Sequence, residues 1–129
     1  MILQNRFYRT VSMQDTNDGQ YLANIALERE NQIFKAHFPA LPILPGACLV
    51  QISKEFIEEK LQQKIQIVQF KNLKFLKTIN PDEFPEITIC FAYKKNEENY
   101  TASITYSKNE HLFCKLDYFF VHCSLIPPP

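Results

Sequence analysis

From His37 to Gly46 the chain reads His37-Phe38-Pro39-Ala40-Leu41-Pro42-Ile43-Leu44-Pro45-Gly46, and an apolar run with helical spacing begins directly after it. Each of the three prolines fixes its own φ and drives the residue before it away from the α region. The ten residues are therefore a stiff, non-helical lead-in that ends where a helix starts. Pro45 suits the first helical position, where a missing N–H costs no hydrogen bond. An imidazole held rigidly beside a helix N-terminus has the makings of an active site.

The pattern predicts that helix over residues 45–62, with two characters. From Ala47 to Ile52 only Gln51 is polar, so apolar groups surround most of the axis and the first half is expected to be enclosed. Beyond Ser53, Lys54, Glu55, Glu58, Glu59 and Lys60 take one side and leave Phe56, Ile57 and Leu61 to pack, so the second half is expected to emerge into solvent.

Strand signals flank the helix. Residues 6–13 and 21–27 read as extended segments around the turn-rich Asp15-Thr16-Asn17-Asp18-Gly19, which predicts a hairpin. Residues 65–75, 86–93, 100–106 and 112–121 read as four more strands, separated by turn signals at 80–82, 96–99 and 107–109. Ile87, Ile89 and Phe91 against Thr88, Cys90 and Ala92 show the period of two with one strongly apolar face. Two strands, one buried helix and four strands predict an α+β architecture, an antiparallel sheet wrapped around one long central helix. Such a sheet leaves an edge uncovered, which predicts a dimer with a continuous sheet. Residues 1–129 are read as a single domain, with no internal repeat.

Composition narrows the function classes. Fourteen basic and fourteen acidic side chains give a formal net charge of zero, which argues against broad electrostatic binding to nucleic acid or an anionic membrane. No run reaches the roughly 18 apolar residues of a membrane helix, and the start lacks a signal-peptide core. The expectation is a cytoplasmic protein. The four cysteines, at 48, 90, 114 and 123, form no CxxC pair, which favours reduced thiols. His111/Cys114 and His122/Cys123 lie in strand-like segments where residues three or one apart point to opposite faces, so no metal site is expected. No cofactor is expected either.

The segment Asn31-Gln32-Ile33-Phe34-Lys35-Ala36-His37-Phe38-Pro39-Ala40-Leu41-Pro42-Ile43-Leu44-Pro45-Gly46 resembles the active-site signature of the hotdog-fold β-hydroxyacyl-(acyl-carrier-protein) dehydratases, approximately N-x-x-F-x-G-H-F-P-G-x-P-x-x-P-G. Lys74-Phe75-Leu76-Lys77-Thr78-Ile79-Asn80-Pro81-Asp82-Glu83 resembles that family's R-F-K/R-x-P-V-x-P-G-D segment. The likeness spans most of residues 20–122. Ala36 and Ala40 stand where the family has glycines, and Gln51 stands where it has a Glu or, in one subgroup, an Asp.

The resemblance implies a dehydration in which His37 removes a proton from C2 of a β-hydroxyacyl thioester and the Gly46 N–H binds the thioester oxygen. A helix carboxyl would assist departure of the C3 hydroxyl as water. It further implies active sites at a dimer interface, with histidine and carboxyl from different subunits. Phe38, Pro39, Pro45, Cys48 and Ile52 are the expected substrate-binding residues, although Cys48 and Ile52 read equally well as core. An imidazole titrates near neutrality and can act as a base. Gln51 can orient a hydroxyl or water but cannot give up a proton at neutral pH. Glu55, one turn on, can replace the missing acid only if the cavity is displaced by about 6 Å.

The expected ligand is an acyl-carrier-protein or coenzyme A thioester of fatty acid, polyene or polyketide biosynthesis, and Lys71, Lys74 and Lys77 are candidate docking residues for an acidic carrier. A half-site subunit of a heterodimer with another hotdog protein is the alternative to a homodimeric enzyme. A hotdog acyl thioesterase ranks after both.

Overall fold

The periodicities named above become strands in the computed structural model, which describes residues 2–33 and 43–123. In chain order the elements are β1 (Tyr8–Asp15), β2 (Tyr21–Leu27), α1 (Gly46–Leu61), β3 (Ile65–Phe75), β4 (Glu86–Lys95), β5 (Tyr100–Lys108) and β6 (His111–His122). The six strands form one sheet in the order β1-β2-β4-β5-β6-β3, with every neighbouring pair antiparallel. This is the α+β arrangement expected, with α1 lying against one face of the sheet.

The period of two decides which face that is. Ile87, Ile89 and Phe91 of β4, Ala102, Ile104 and Tyr106 of β5, and Leu116, Tyr118 and Phe120 of β6 are buried together. Register stacks them: Phe91 opposes Ile104, Ile104 opposes Leu116, and Tyr106 opposes Cys114. Cys48, Leu49, Ile52, Phe56 and Ile57 of α1 complete this core. Each such side chain, fully buried, contributes roughly 1.5–3 kcal/mol. Two polar contacts fix how the helix sits on the sheet. The Tyr106 hydroxyl donates to the Leu49 carbonyl at 2.6 Å, and the Ser53 and Tyr118 hydroxyls pair at 2.8 Å.

Phe113 is buried beside Cys114 although neighbours in a strand should alternate. The register explains it, because Tyr106 opposes Cys114 and Ser107 opposes Leu112, which leaves Phe113 as the extra residue of a β-bulge. Its carbonyl accepts from the Leu76 and Lys77 N–H groups, at 2.8 and 3.2 Å, where β3 ends.

Several boundaries differ from expectation for local reasons. The first strand begins at Tyr8 rather than at residue 6 because the Leu3 carbonyl takes the Arg6 and Phe7 N–H groups into a turn. That turn buries Leu3 and Phe7. Pro45 is the N-cap and Gly46 the first helical residue, since Pro45 has ψ 144, an extended value. Residues 107 and 108 extend β5, and the reversal falls at Asn109, with φ 53. The helix does lose its burial after Ile57, but Glu55 is buried rather than part of an exposed polar side.

Candidate functional site

Pro45, extended and without a side-chain hydrogen bond at the cap, opens α1. Its carbonyl accepts the Cys48 and Leu49 N–H groups at 3.0 and 3.4 Å, while no described residue accepts from Gly46 or Ala47. Unpaired N–H groups in the first turn, at the positive end of the helix dipole, are suited to a developing negative oxygen. Leu44 N–H donates to the Ile79 carbonyl at 2.8 Å and so ties the helix entry to the segment after β3. Between them lies an open, largely apolar cleft of ≈ 400 Å³, bounded by Ile43–Gly46, Leu49 and Phe75–Ile79. Phe75 forms one wall directly over Gly46, where an added Cβ would meet its Cζ at 2.7 Å. Gly46 is not among the glycines with positive φ. Close approach of the ring, not backbone conformation, is what favours a glycine here.

Gln51 lies five residues further along α1 and lines a different cleft, one of ≈ 490 Å³ that also includes Gln4, Lys54 and Glu55. Its Nε2 donates to Glu55 Oε2 at 2.9 Å. Glu55 Oε2 also accepts the Leu3 N–H at 2.9 Å, and Oε1 accepts the Gln4 N–H at 2.8 Å and the Tyr8 hydroxyl at 3.2 Å. The four acceptor positions of the carboxylate are thus filled by four neutral donors. Burial first, and then the charge of Glu55, raise the Tyr8 phenol far above its ordinary value, so it stays a donor. Glu55 is therefore the anchor of the N-terminal turn, and its oxygens are already engaged.

Of the other residues singled out from the sequence, His37, Phe38 and Pro39 lie outside the described residues. Pro45 lines the cleft with Gly46. Cys48 and Ile52 are buried in the core and line neither cleft; Leu49 faces the first cleft instead. Burial pushes the Cys48 thiol up to about 11. Lys71 and Lys74 are exposed on β3. Lys77 pairs its Nζ with His111 Nδ1 at 2.9 Å and lies over the Phe84 ring at 5.4 Å. His122 Nε2 pairs with the Tyr100 hydroxyl at 3.0 Å. The four cysteines are unpaired, and no helix among the described residues is long and apolar enough to cross a membrane.

Three contributors were missed by sequence reasoning: Glu55 as an anchor, Tyr8 as its donor and Phe75 as the wall over Gly46. Only Glu55 carried a signal, its i,i+4 spacing from Gln51. The other two depend on contacts between segments 47 and 29 residues apart, which no local pattern encodes.

The described geometry can be set beside known proteins. A family model described as ApeI dehydratase matches residues 12–116. No curated protein matches the chain. Among solved structures, the dehydratase heterocomplex ApeI:P from Xenorhabdus doucetiae superposes with a TM-score of 0.69 at 12% identity, covering 87% of this chain and 96% of that one. A hypothetical thioesterase from Streptococcus pneumoniae TIGR4, solved with coenzyme A, superposes with a TM-score of 0.63 at 12% identity, covering 89% and 84%. A Streptococcus mutans UA159 protein bound to acetyl CoA reaches 0.59 at 11% identity, covering 89% and 87%. At these identities the likeness is one of fold: an antiparallel six-stranded sheet with, among the described residues, one long helix, shared with hotdog proteins.

Proposed function

The chain belongs to the ApeI-like dehydratase family, and from that premise we propose that it acts on β-hydroxyacyl thioesters at a site shared between two hotdog subunits. The observation that carries this reading is the helix start: Gly46, with an N–H that no described residue takes, opens into an apolar cleft beside the Phe75–Ile79 segment. In this reading the thioester carbonyl sits at that N–H and the acyl chain occupies the cleft. As negative charge develops on the oxygen, a hydrogen bond there strengthens, which lowers the barrier to removing the C2 proton. His37 is the base. The carrier is an acyl carrier protein or coenzyme A; the relatives solved with coenzyme A and acetyl CoA fit the latter.

Gly46 and Gln51 line different clefts of one chain. A second subunit that brings its own position 51 to the Gly46 cleft accounts for that separation. Purified protein assayed with β-hydroxyacyl thioesters tests the reading. Formation of the α,β-unsaturated product, abolished in His37→Ala, is expected; absent turnover, indifferent to His37→Ala, overturns it.

A second reading is favoured by Gln51 itself. Loss of a positioned acid typically costs roughly 10²–10⁴ in rate, so a half-site subunit whose hotdog partner supplies the carboxyl is the alternative. The Xenorhabdus doucetiae relative is a dehydratase heterocomplex. Full activity of this chain alone excludes that arrangement. Thiol release from simple acyl thioesters without dehydration points to a thioesterase instead.

A further inference from the structure

We propose that Lys77 and His111 form an oxyanion subsite at the rim of the Gly46 cleft, and that the imidazole takes up a proton when the anion arrives. The subsite rests on the thioester reading above, and its anion belongs to that same ligand. It is either a phosphate on the pantetheine arm or a carboxylate at the end of the acyl chain.

Lys77 lines the cleft that Gly46 opens into. Its Nζ lies 2.9 Å from His111 Nδ1. An ammonium only donates, so Nδ1 must accept, and the ring is then neutral with its proton on Nε2. Among the described residues neither group forms an ion pair. The lysine therefore rests on a second base where a carboxylate would ordinarily balance it. Protonation of the ring removes that acceptor and sets two cations side by side, unless an anion enters between them. An oxyanion accepts from both at once, in charge-assisted hydrogen bonds about twice as strong as neutral ones.

Two aromatic residues hold the pair in place. The Phe113 carbonyl, on the β-bulge, accepts the Lys77 N–H at 3.2 Å, and the Phe113 ring stacks on His111 with centroids 6.3 Å apart. The buried Phe84 ring meets His111 edge-on at 5.2 Å and lies 5.4 Å from Lys77 Nζ. Bulges are over-represented beside active sites, where they re-aim a side chain. The other charged groups around the imidazole are mixed in sign. Lys108 opposes it on β5, Glu110 precedes it in the chain, and Glu83 and Glu86 flank Phe84 and Pro85. Asp82 is held by Arg29 at 2.7 Å. The reach also suits the ligand. His111 stands three residues from Cys114, which opposes Phe75, so the pair lies about 10 Å along the sheet from the wall over Gly46. Between sulfur and phosphorus a pantetheine arm has the chain atoms of about four extended residues, a span of roughly 13 Å.

Calorimetry with three amide-linked ligands, in which turnover plays no part, separates the two sources of the anion. The first is 3-hydroxyoctanoyl pantetheine; the second adds a 4′-phosphate methyl diester, and the third ends its acyl chain in a carboxylate. Neither added anion titrates between pH 6 and 8. One of the two anionic ligands is expected to bind about tenfold tighter or more than the neutral one at pH 6. That advantage is expected to shrink towards pH 8, by up to about tenfold per unit for the one proton taken up. Lys77→Met and His111→Gln, both at the surface, are each expected to bring the ratio towards one. No advantage for either anion, or an advantage that survives both variants, overturns the subsite; one that is constant with pH overturns the proton uptake. Dimethyl phosphate, added at constant ionic strength, probes the pair without any thioester. At a pH where the His111 ring is neutral in the free protein, its ¹⁵N signals are expected to move to the doubly protonated pattern, and not to do so in Lys77→Met. If that happens while none of the pantetheine ligands binds, the thioester reading fails and the subsite stands. A ring left neutral by every anion tested overturns it.

Discussion

The ring of Phe75 lies over Gly46 so closely that a Cβ on the glycine would come within 2.7 Å of Cζ and 2.9 Å of Cε1. One residue comes from the first turn of α1 and the other from the last position of β3, so the contact joins the helix start to the sheet edge. Phe75 is nonetheless 51% exposed. Its ring has room to swing, and the clash in Gly46→Ala can be relieved by moving it. The expected stability change is small, about 1 kcal/mol, while the cleft wall is displaced. In a dehydration assay Gly46→Ala is expected to lose activity well beyond its change in unfolding midpoint. Gly46→Ala/Phe75→Leu, with a smaller side chain opposite, is expected to recover part of that loss; a pair of strictly additive effects counts against the contact.

Glu55 gives a prediction about stability. Truncation in Glu55→Ala leaves the Leu3 and Gln4 N–H groups and the Tyr8 hydroxyl without their acceptor. A buried unsatisfied group costs roughly 1–3 kcal/mol, so the variant is expected to lose about 3 kcal/mol or more. Glu55→Gln keeps one acceptor oxygen and is expected to lose less. Urea unfolding with an unchanged slope measures this. A loss below about 0.5 kcal/mol in Glu55→Ala, the range of ordinary surface changes, shows that the turn is held by other contacts.

The same carboxylate shows where sequence reading reaches its limit. Strands β2 and β3 fall at their predicted bounds because alternation and turn residues are local signals. The helix start errs by one residue, since proline's φ suits both N-cap and first turn and only ψ distinguishes them. Glu55 was legible as a helical glutamate but not as a buried one. Its donors sit more than 45 positions away at Leu3, Gln4 and Tyr8. The Phe113 bulge was equally hidden, because a single extra residue changes register without changing composition. Of the expected site, Gly46, Pro45 and Gln51 are placed at clefts, and the histidine of the motif lies outside the described residues.

Buried thiols make stability depend on alkaline pH. Burial raises Cys48 from its ordinary 9.0 to about 11 and Cys114 to about 12. The unfolded thiols ionise from about pH 9, while the folded ones hold their protons to about 11 for Cys48 and about 12 for Cys114. Their stabilising contribution is therefore complete below pH 9 and declines as pH rises towards 11 and 12, by up to roughly 1.4 kcal/mol per unit for each thiol. Urea midpoints between pH 7.5 and 10.5 are expected to fall at the upper end. The fall should be shallower in Cys48→Ala; parallel curves count against a buried Cys48 thiol.

Strand β1 at one edge exposes Val11, whereas β3 at the other exposes Val68, Phe70, Leu73 and Phe75. A second subunit that pairs through β3 covers far more apolar surface than one that pairs through β1. The β3 edge also carries a charge problem. From Leu61 to Pro81 the sequence has Lys64, Lys71, Lys74 and Lys77 and no acidic residue. Pairing of two copies brings these lysines near one another, and the repulsion is screened as the Debye length falls from about 10 Å at 0.1 M salt to about 3 Å at 1 M. Self-association through β3 is thus expected to tighten by about threefold or more between 0.05 and 0.5 M NaCl in sedimentation equilibrium. A hotdog partner with an acidic edge reverses the sign, because salt then weakens an attraction. Lys74→Glu distinguishes the two arrangements at low salt: it strengthens the homodimer and weakens the heterodimer. Indifference of the dimer to both salt and Lys74→Glu excludes β3 as the interface.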